Sequence, residues 1–183
     1  MGRWASPEIV ARAVSGSGSA VEELIAAVWP GCFRLAVMVT GDRGLAEDAA
    51  QETCVIVDRT VRSLRCVEAF DGWLYRIVMR ESARVRRRRG QVAEPTEEVT
   101  VVDDTLSFDI WRSLAALSSE LREVTVLFYF EGLSGEEIAA ALRISHGSVR
   151  VRLSRARERL RSLLSDYDIT PHKTTWEVQQ NAI

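Results

Sequence analysis

The stretch from Ser134 to Leu164 limits what this chain can fold into more than any other. Ser134 and Glu137 stand at S-x-x-E spacing. This is a capping box, in which the serine hydroxyl and the glutamate carboxylate each take an orphan backbone N–H. An apolar run to Leu142 follows, then Arg143, Ile144 and Ser145, and Ser145 is placed to cap a second helix. A short helix, a three-residue turn and a longer helix make the layout of a helix-turn-helix.

The second helix indicates its use. At roughly 100° per residue, Val149, Leu153, Ala156, Leu160 and Leu163/Leu164 share one face. Opposite them lie Gly147, Val151, Ser154 and Arg155, with Arg150, Arg157 and Arg161 along one edge and Arg152 and Arg159 along the other. Small and contact-capable side chains form a ridge that can reach base edges, and the arginine shoulders can meet the phosphate walls of a major groove. A solvated basic helix or a coiled-coil strand shares the arginines. The capped helix and turn in front favour DNA.

Over the whole 183 residues the formal charge is only −2, so the chain is not one that coats nucleic acid indiscriminately. The charge is partitioned instead, with arginines at 84–89 and 150–161 and acids at 47–52 and 94–104, which points to separate surfaces for different partners. Cys32, Cys54 and Cys66 show no C-x-x-C pairing, and the histidines are His146 and His172. The reading is three thiols in a reducing compartment, with no metal site. The N-terminus lacks a signal-peptide profile, and no apolar run approaches the roughly 18 residues that span a membrane. A soluble, cytoplasmic protein without membrane insertion is expected.

Taken in order, Ser6 and Pro7 open a short helix through Val14, and 16–19 break it. A helix over about 20–28 is interrupted at Pro30 and continues from Phe33 to Val39 before Gly41. Asp42 caps a long helix from Arg43 to Leu64, and a fourth runs from Phe70 to Arg89. No alternating strand pattern and no internal repeat compete. Residues 90–104 combine Pro95 with Glu94, Glu97, Glu98, Asp103 and Asp104, which reads as an extended acidic linker. Helix resumes at Leu106–Leu117 and Ser119–Phe130, with Gly132 as a terminator, and the helix-turn-helix completes the second unit. The expected fold class is all-α. Two small helical domains, 1–89 and 105–165, are joined by the acidic linker 90–104 and followed by a tail, 166–183, in which Trp176 is a docking candidate.

Two further surfaces carry chemistry. On the fourth helix Trp73, Arg76, Arg80, Arg84 and Arg87 share a stripe, while Phe70, Leu74, Ile77, Val78 and Val85 form the apolar face. An aromatic beside a row of guanidinium groups suits melting DNA, because a base can stack while cations hold the backbone. The alternative makes Trp73 a core residue and the terminal arginines partners of the helix dipole. On the third helix Glu47, Asp48, Gln51 and Glu52 form an acidic, amide-bearing patch. The dipole accounts for acids in the first turn but gives little reason for Gln51 and Glu52. No Ser-His-Asp set, phosphate loop or H-E-x-x-H motif appears. No enzyme, cofactor or small-molecule substrate is expected.

At this point the chain resembles bacterial RNA polymerase sigma factors of the extracytoplasmic-function (ECF) group of the sigma-70 family, over about residues 20–165. Gly41-Asp42-Arg43, Ala46-Glu47-Asp48 and Gln51-Glu52-Thr53 resemble the segment that docks on the polymerase clamp helices. Phe70-Asp71-Gly72-Trp73 through Ile77 resembles the start of the helix that melts and reads the minus-ten element. Leu121–Val124, Glu131–Ser134, Glu137–Ala139, Gly147–Arg150 and Arg152–Arg157 resemble the domain that reads the minus-thirty-five element and touches the polymerase flap.

The resemblance implies the roles. Asp48, Gln51 and Glu52 become the core polymerase contact, and Trp73, Arg76, Arg80, Arg84 and Arg87 the minus-ten surface. Ser148, Arg150, Val151, Ser154 and Arg155 read minus-thirty-five bases, with Arg152 and Arg157 on phosphates. The acidic linker takes the path of the transcript. It further implies core RNA polymerase, promoter DNA and an anti-sigma factor as partners. Arg80 stands where the family often has Asn, Arg84 where it has Asp, Ser148 for Thr and Val151 for Ser. The extra arginines trade base readout for backbone affinity, and Val151 favours a thymine methyl. The rival reading is a stand-alone helix-turn-helix transcriptional regulator, which leaves the acidic patch, the linker and the Trp73 stripe unused.

Overall fold

The computed structural model of the chain describes residues 4–90 and 108–163, and among these residues there are helices and turns but no strand. The acidic stretch from residue 91 onward and the tail lie outside the described residues.

Helix α1 spans Pro7–Val14, with the Ser6 hydroxyl accepting from the Ile9 N–H at 3.4 Å. Helix α2 spans Gly18–Thr40 without a break, where two segments were expected. Proline removes the N–H that would reach the carbonyl one turn back and crowds that carbonyl. Here both Pro30 and Ala26 are exposed, so water can solvate the freed group. The opposite face, with Leu24, Val28, Cys32 and Leu35 fully buried, carries the helix through. Unbroken, α2 reaches 23 residues with a most apolar window of mean hydropathy 1.4, long and apolar enough to cross a membrane by length and composition. That differs from the expectation that no run would qualify. Half of that window is buried inside the fold, as a core helix requires.

Gly41 ends α2 at φ +72°, and a Cβ there would stand 2.9 Å from the Arg122 guanidinium, so glycine serves both the left-handed turn and the close approach. Helix α3, Arg43–Thr60, is capped by Asp42, whose Oδ1 accepts from the Leu45 N–H at 2.8 Å. Partial burial works to raise the Asp42 pKa. The Leu45 N–H and the Arg89 guanidinium outweigh it and hold the carboxyl below its ordinary value. The helix stops four residues short of the expected Leu64, in a 3-10 turn over Val61–Ser63. A second such turn, Val67–Ala69, leads into α4, Phe70–Gly90.

In the second half α5 spans Phe108–Ala115 and α6 spans Ser119–Thr125. Where one helix to Phe130 was expected, Val126–Phe130 widens into a π-helical turn. Helix α7, Gly135–Leu142, has both bonds of the capping box, Glu137 N–H to Ser134 Oγ at 3.2 Å and Ser134 N–H to Glu137 Oε2 at 2.8 Å. Arg143 turns the chain at φ 55°, and α8 runs His146–Leu163 with Ser145 Oγ accepting from the Ser148 N–H at 3.1 Å.

Small residues set the packing of the first half. Ala46, Ala49, Ala50 and Thr53 are buried on α3, which lets α2 lie close along it. One apolar cluster then continues into the second half, where Val124, Leu127, Ile138 and Val149 join Leu24, Leu35 and Leu74. Leu114, Leu117 and Ala156 form a smaller cluster behind α8. Polar bonds cross between the halves as well. The Val39 carbonyl accepts from Arg86 Nη1 at 3.3 Å and Arg122 Nη1 at 3.4 Å, and Arg86 Nη2 meets Glu123 at 3.0 Å. Burial lowers the Arg122 pKa and raises that of Glu123. Arg122 also donates to the α5 carbonyls of Leu114 and Ala115, so one guanidinium ties together the C-terminal ends of α2 and α5. The Tyr75 hydroxyl donates to Glu131 at 2.7 Å, and the Trp4 ring meets Tyr75 edge-on at 4.9 Å.

All three cysteines are free. Burial pushes the Cys54 thiol up to about 11 and that of Cys32 higher still, which leaves neither as a ready thiolate. Cys66 is exposed and free, and its thiol donates to Glu68 at 2.9 Å.

Candidate functional site

The α8 stripe is buried where the spacing placed it. Val149, Leu153 and Ala156 are inside, and Leu160 and Leu163 are half-buried. On the far side Gly147, Arg150, Ser154 and Arg155 are exposed, and Val151 is 50% exposed, an apolar side chain held in water in the middle of the ridge. Ser148 is half-buried, and its hydroxyl shares a 2.8 Å hydrogen bond with Ser145 in the helix cap. Two shoulder arginines are anchored by α6 and the π-helical turn that follows it. Arg152 pairs with Glu120 at 3.0 Å, and Arg157 Nε donates to the Tyr129 hydroxyl at 2.9 Å. The exposed ring of Tyr129 therefore steers one shoulder, a role that sequence spacing did not indicate.

On α4 the expected stripe divides. Trp73, Arg76, Arg80 and Arg87 border one groove of about 430 Å³ whose other wall is α7, at Ala141 and Leu142. Trp73 is half-buried, packed on the main apolar cluster with its ring 5.8 Å from Phe70. The ring therefore packs against the core and also borders the groove. Arg84 turns away from this groove. Its guanidinium meets Glu52 of α3 at 2.9 Å and the carboxylate of Glu81 on its own helix. Glu81 is only 3% exposed and takes Arg80 Nε at 2.9 Å on its other oxygen. An acid lying one residue from one arginine and three from another was the available signal for Glu81.

On α3 Asp48, Gln51 and Glu52 are exposed on one side of a groove whose far wall is Val85, Arg88 and Arg89 of α4. Val55, 42% exposed, lies in the same groove and adds an apolar contact beside the acids. The same helix that buries Ala46, Ala49, Ala50 and Thr53 must turn these positions outward. Among the described residues no group of metal-ligating side chains comes together. The described surfaces thus carry one exposed acidic patch on α3 and two arginine-bearing faces, on α4 and α8.

Comparison with known proteins places the chain in a family. Residues 24–92 match the family Sigma-70 region 2, and residues 107–160 match Sigma-70, region 4. The chain is 35% identical over 149 residues to the ECF RNA polymerase sigma factor SigE of Mycolicibacterium smegmatis, an alignment covering 74% of this chain and 58% of that protein. It is 31% identical over 163 residues to the ECF RNA polymerase sigma factor SigM of Mycobacterium tuberculosis, covering 86% of this chain and 83% of that one. Among solved structures, the sigma factor RpoE of Bartonella quintana, in complex with the anti-sigma factor NepR, superposes with a TM-score of 0.67 at 26% identity. That alignment covers 79% of this chain and 96% of RpoE. Two regions in family order, on one helical chain that spans most of SigM, establish the relation. The chain belongs to the sigma-70 family as an ECF RNA polymerase sigma factor, a non-enzymatic transcription initiation factor.

Proposed function

We propose that this sigma factor grips core RNA polymerase through Asp48, Gln51 and Glu52 and grips the promoter through α4 and α8. Trp73, Arg76, Arg80, Arg84 and Arg87 serve the minus-ten element, where an unpaired base stacks on the free side of the indole. Ser148, Arg150, Val151, Ser154 and Arg155 read the minus-thirty-five element, and Arg152 and Arg157 hold its phosphates. The functional units follow the division 1–89, 90–104, 105–165 and 166–183, and the factor works in the cytoplasm. Its partners include an anti-sigma factor, as the RpoE–NepR complex illustrates for a relative. The supporting observation is the α8 ridge, exposed Val151, Ser154 and Arg155 between anchored arginine shoulders.

Run-off transcription with purified bacterial core polymerase and fragmented genomic DNA tests the reading as a whole. Chain-dependent transcripts from a restricted set of start sites are expected, and failure to associate with core polymerase overturns it. Arg155→Ala is expected to weaken binding to the upstream element by about 1–3 kcal/mol, the scale of one base contact, and to relax preference at one base pair. Unchanged preference removes Arg155 from the reading surface. Trp73→Ala is expected to slow open-complex formation more than initial promoter binding in a stopped-flow assay. Equal loss in both steps assigns the ring to packing alone.

A further inference from the structure

We infer that Arg84 is one cation shared between the polymerase-facing patch of α3 and the promoter-facing stripe of α4, and that core binding hands it from the first to the second. This rests on the assignment of those two surfaces proposed above.

The geometry is a chain of alternating charges. Glu52 on α3 meets Arg84 at 2.9 Å, Arg84 meets the buried Glu81, and Glu81 meets Arg80 at 2.9 Å. The two ends differ in strength. Glu81 is a buried carboxylate and requires a paired cation, since an uncompensated charge in the interior is strongly disfavoured. Its hold on the arginines is therefore lasting. The Glu52–Arg84 contact is outer and wet, with side chains 47% and 33% exposed, and a pair of that kind is screened and readily exchanged.

Glu52 is also a member of the acidic patch. A polymerase cation that takes its carboxylate displaces Arg84 from its outer partner but not from Glu81. Arg84 stays held by Glu81. Its spacing of four from Arg80 and three from Arg87 puts its backbone on their face of the helix, so a side chain released from Glu52 can swing back toward them. A guanidinium released there has phosphate as its next available anion. In the free chain it is neutralised by Glu52, so the stripe is one cation weaker before polymerase binds. Linkage requires the reverse effect as well: DNA phosphate that captures Arg84 leaves Glu52 free for polymerase.

The test uses the full chain, fluorescently labelled, with purified bacterial core polymerase and a promoter fragment recovered by run-off transcription. Arg84→Ala is expected to raise affinity for core polymerase without DNA by up to about fivefold, the strength of an exposed pair removed as internal competitor. The same variant is expected to bind the promoter more weakly as holoenzyme, with a log–log salt slope smaller by about 1, one phosphate contact. In a Glu52→Gln background the gain in core affinity disappears. Arg84→Lys, which restores the charge, returns both readings toward the parent. Arg84→Gln, a neutral side chain that keeps much of the arginine's bulk, reads the same exchange if the alanine chain melts early. A core affinity that falls or stays constant in both neutral variants overturns the shared-cation role. A parent chain that does not bind core polymerase overturns the functional assignment instead.

Discussion

A Glu52→Arg chain is expected to lose affinity for core polymerase by about 2–5 kcal/mol, roughly thirtyfold to several thousandfold, the range for disrupting a desolvated charge pair at an interface. Glu52 is exposed beside Asp48 and Gln51 on the patch where α3 has no packing duty. Reversal both removes an acceptor and faces a cationic partner with a like charge. It also sets two arginines against each other, since Arg84 now stands 2.9 Å from the Glu52 carboxylate. The fold itself loses only about 0–1 kcal/mol, because that pair is exposed. Titration of labelled chain with core polymerase, alongside a thermal melt, reads the two quantities separately. Base preference that depends on Arg155 stays as it was, because α8 is not involved. Unaltered core affinity in a folded variant moves the polymerase contact off α3.

Leu127→Ala is expected to destabilise the chain by about 2–5 kcal/mol, the usual effect of emptying a fully buried leucine site. Leu127 has no exposed surface and belongs to the apolar cluster that also holds Leu24, Leu35 and Leu74. A domain of ordinary stability has about 5–15 kcal/mol in total. With a core continuous through both halves, the loss shifts a single transition for the whole chain. Urea titration followed by tryptophan fluorescence and by far-ultraviolet circular dichroism checks this. Coincident curves that move together are expected. Two transitions, with only one displaced, mean that the halves fold as separate units.

What was legible in the sequence was chemistry that acts over a few residues. The Ser134–Glu137 box, the Asp42 cap and the buried stripe on α8 each depend on spacings of three or four, and each stands where spacing placed it. Pro30 misled because the rule it triggers assumes that the lost hydrogen bond matters. On a water-facing side of a helix buried along its other face, it does not. The π-helical turn at Val126–Phe130 and the early end of α3 at Thr60 carry no spacing that announces them. Contacts such as Tyr75 to Glu131 and Arg86 to Glu123 leave no periodic mark. The wall that α7 provides for the Trp73 groove was hidden for the same reason. Spacing put Arg84 in line with Arg80 and Arg87, but its side chain turns out of their groove toward Glu52 of α3 and Glu81 of α4, partners that spacing did not indicate.

The N-terminal segment ties two distant positions into one. The Trp4 ring lies so close over Gly31 that a Cβ there would stand 2.8 Å from it. Alanine within a helix is favoured over glycine by about 1 kcal/mol, so position 31 forgoes that gain to admit the indole. The two sites are expected to drift in concert across descendants of this chain. A lineage that first shrinks residue 4 is free to fill residue 31, whereas the opposite order meets a steric barrier.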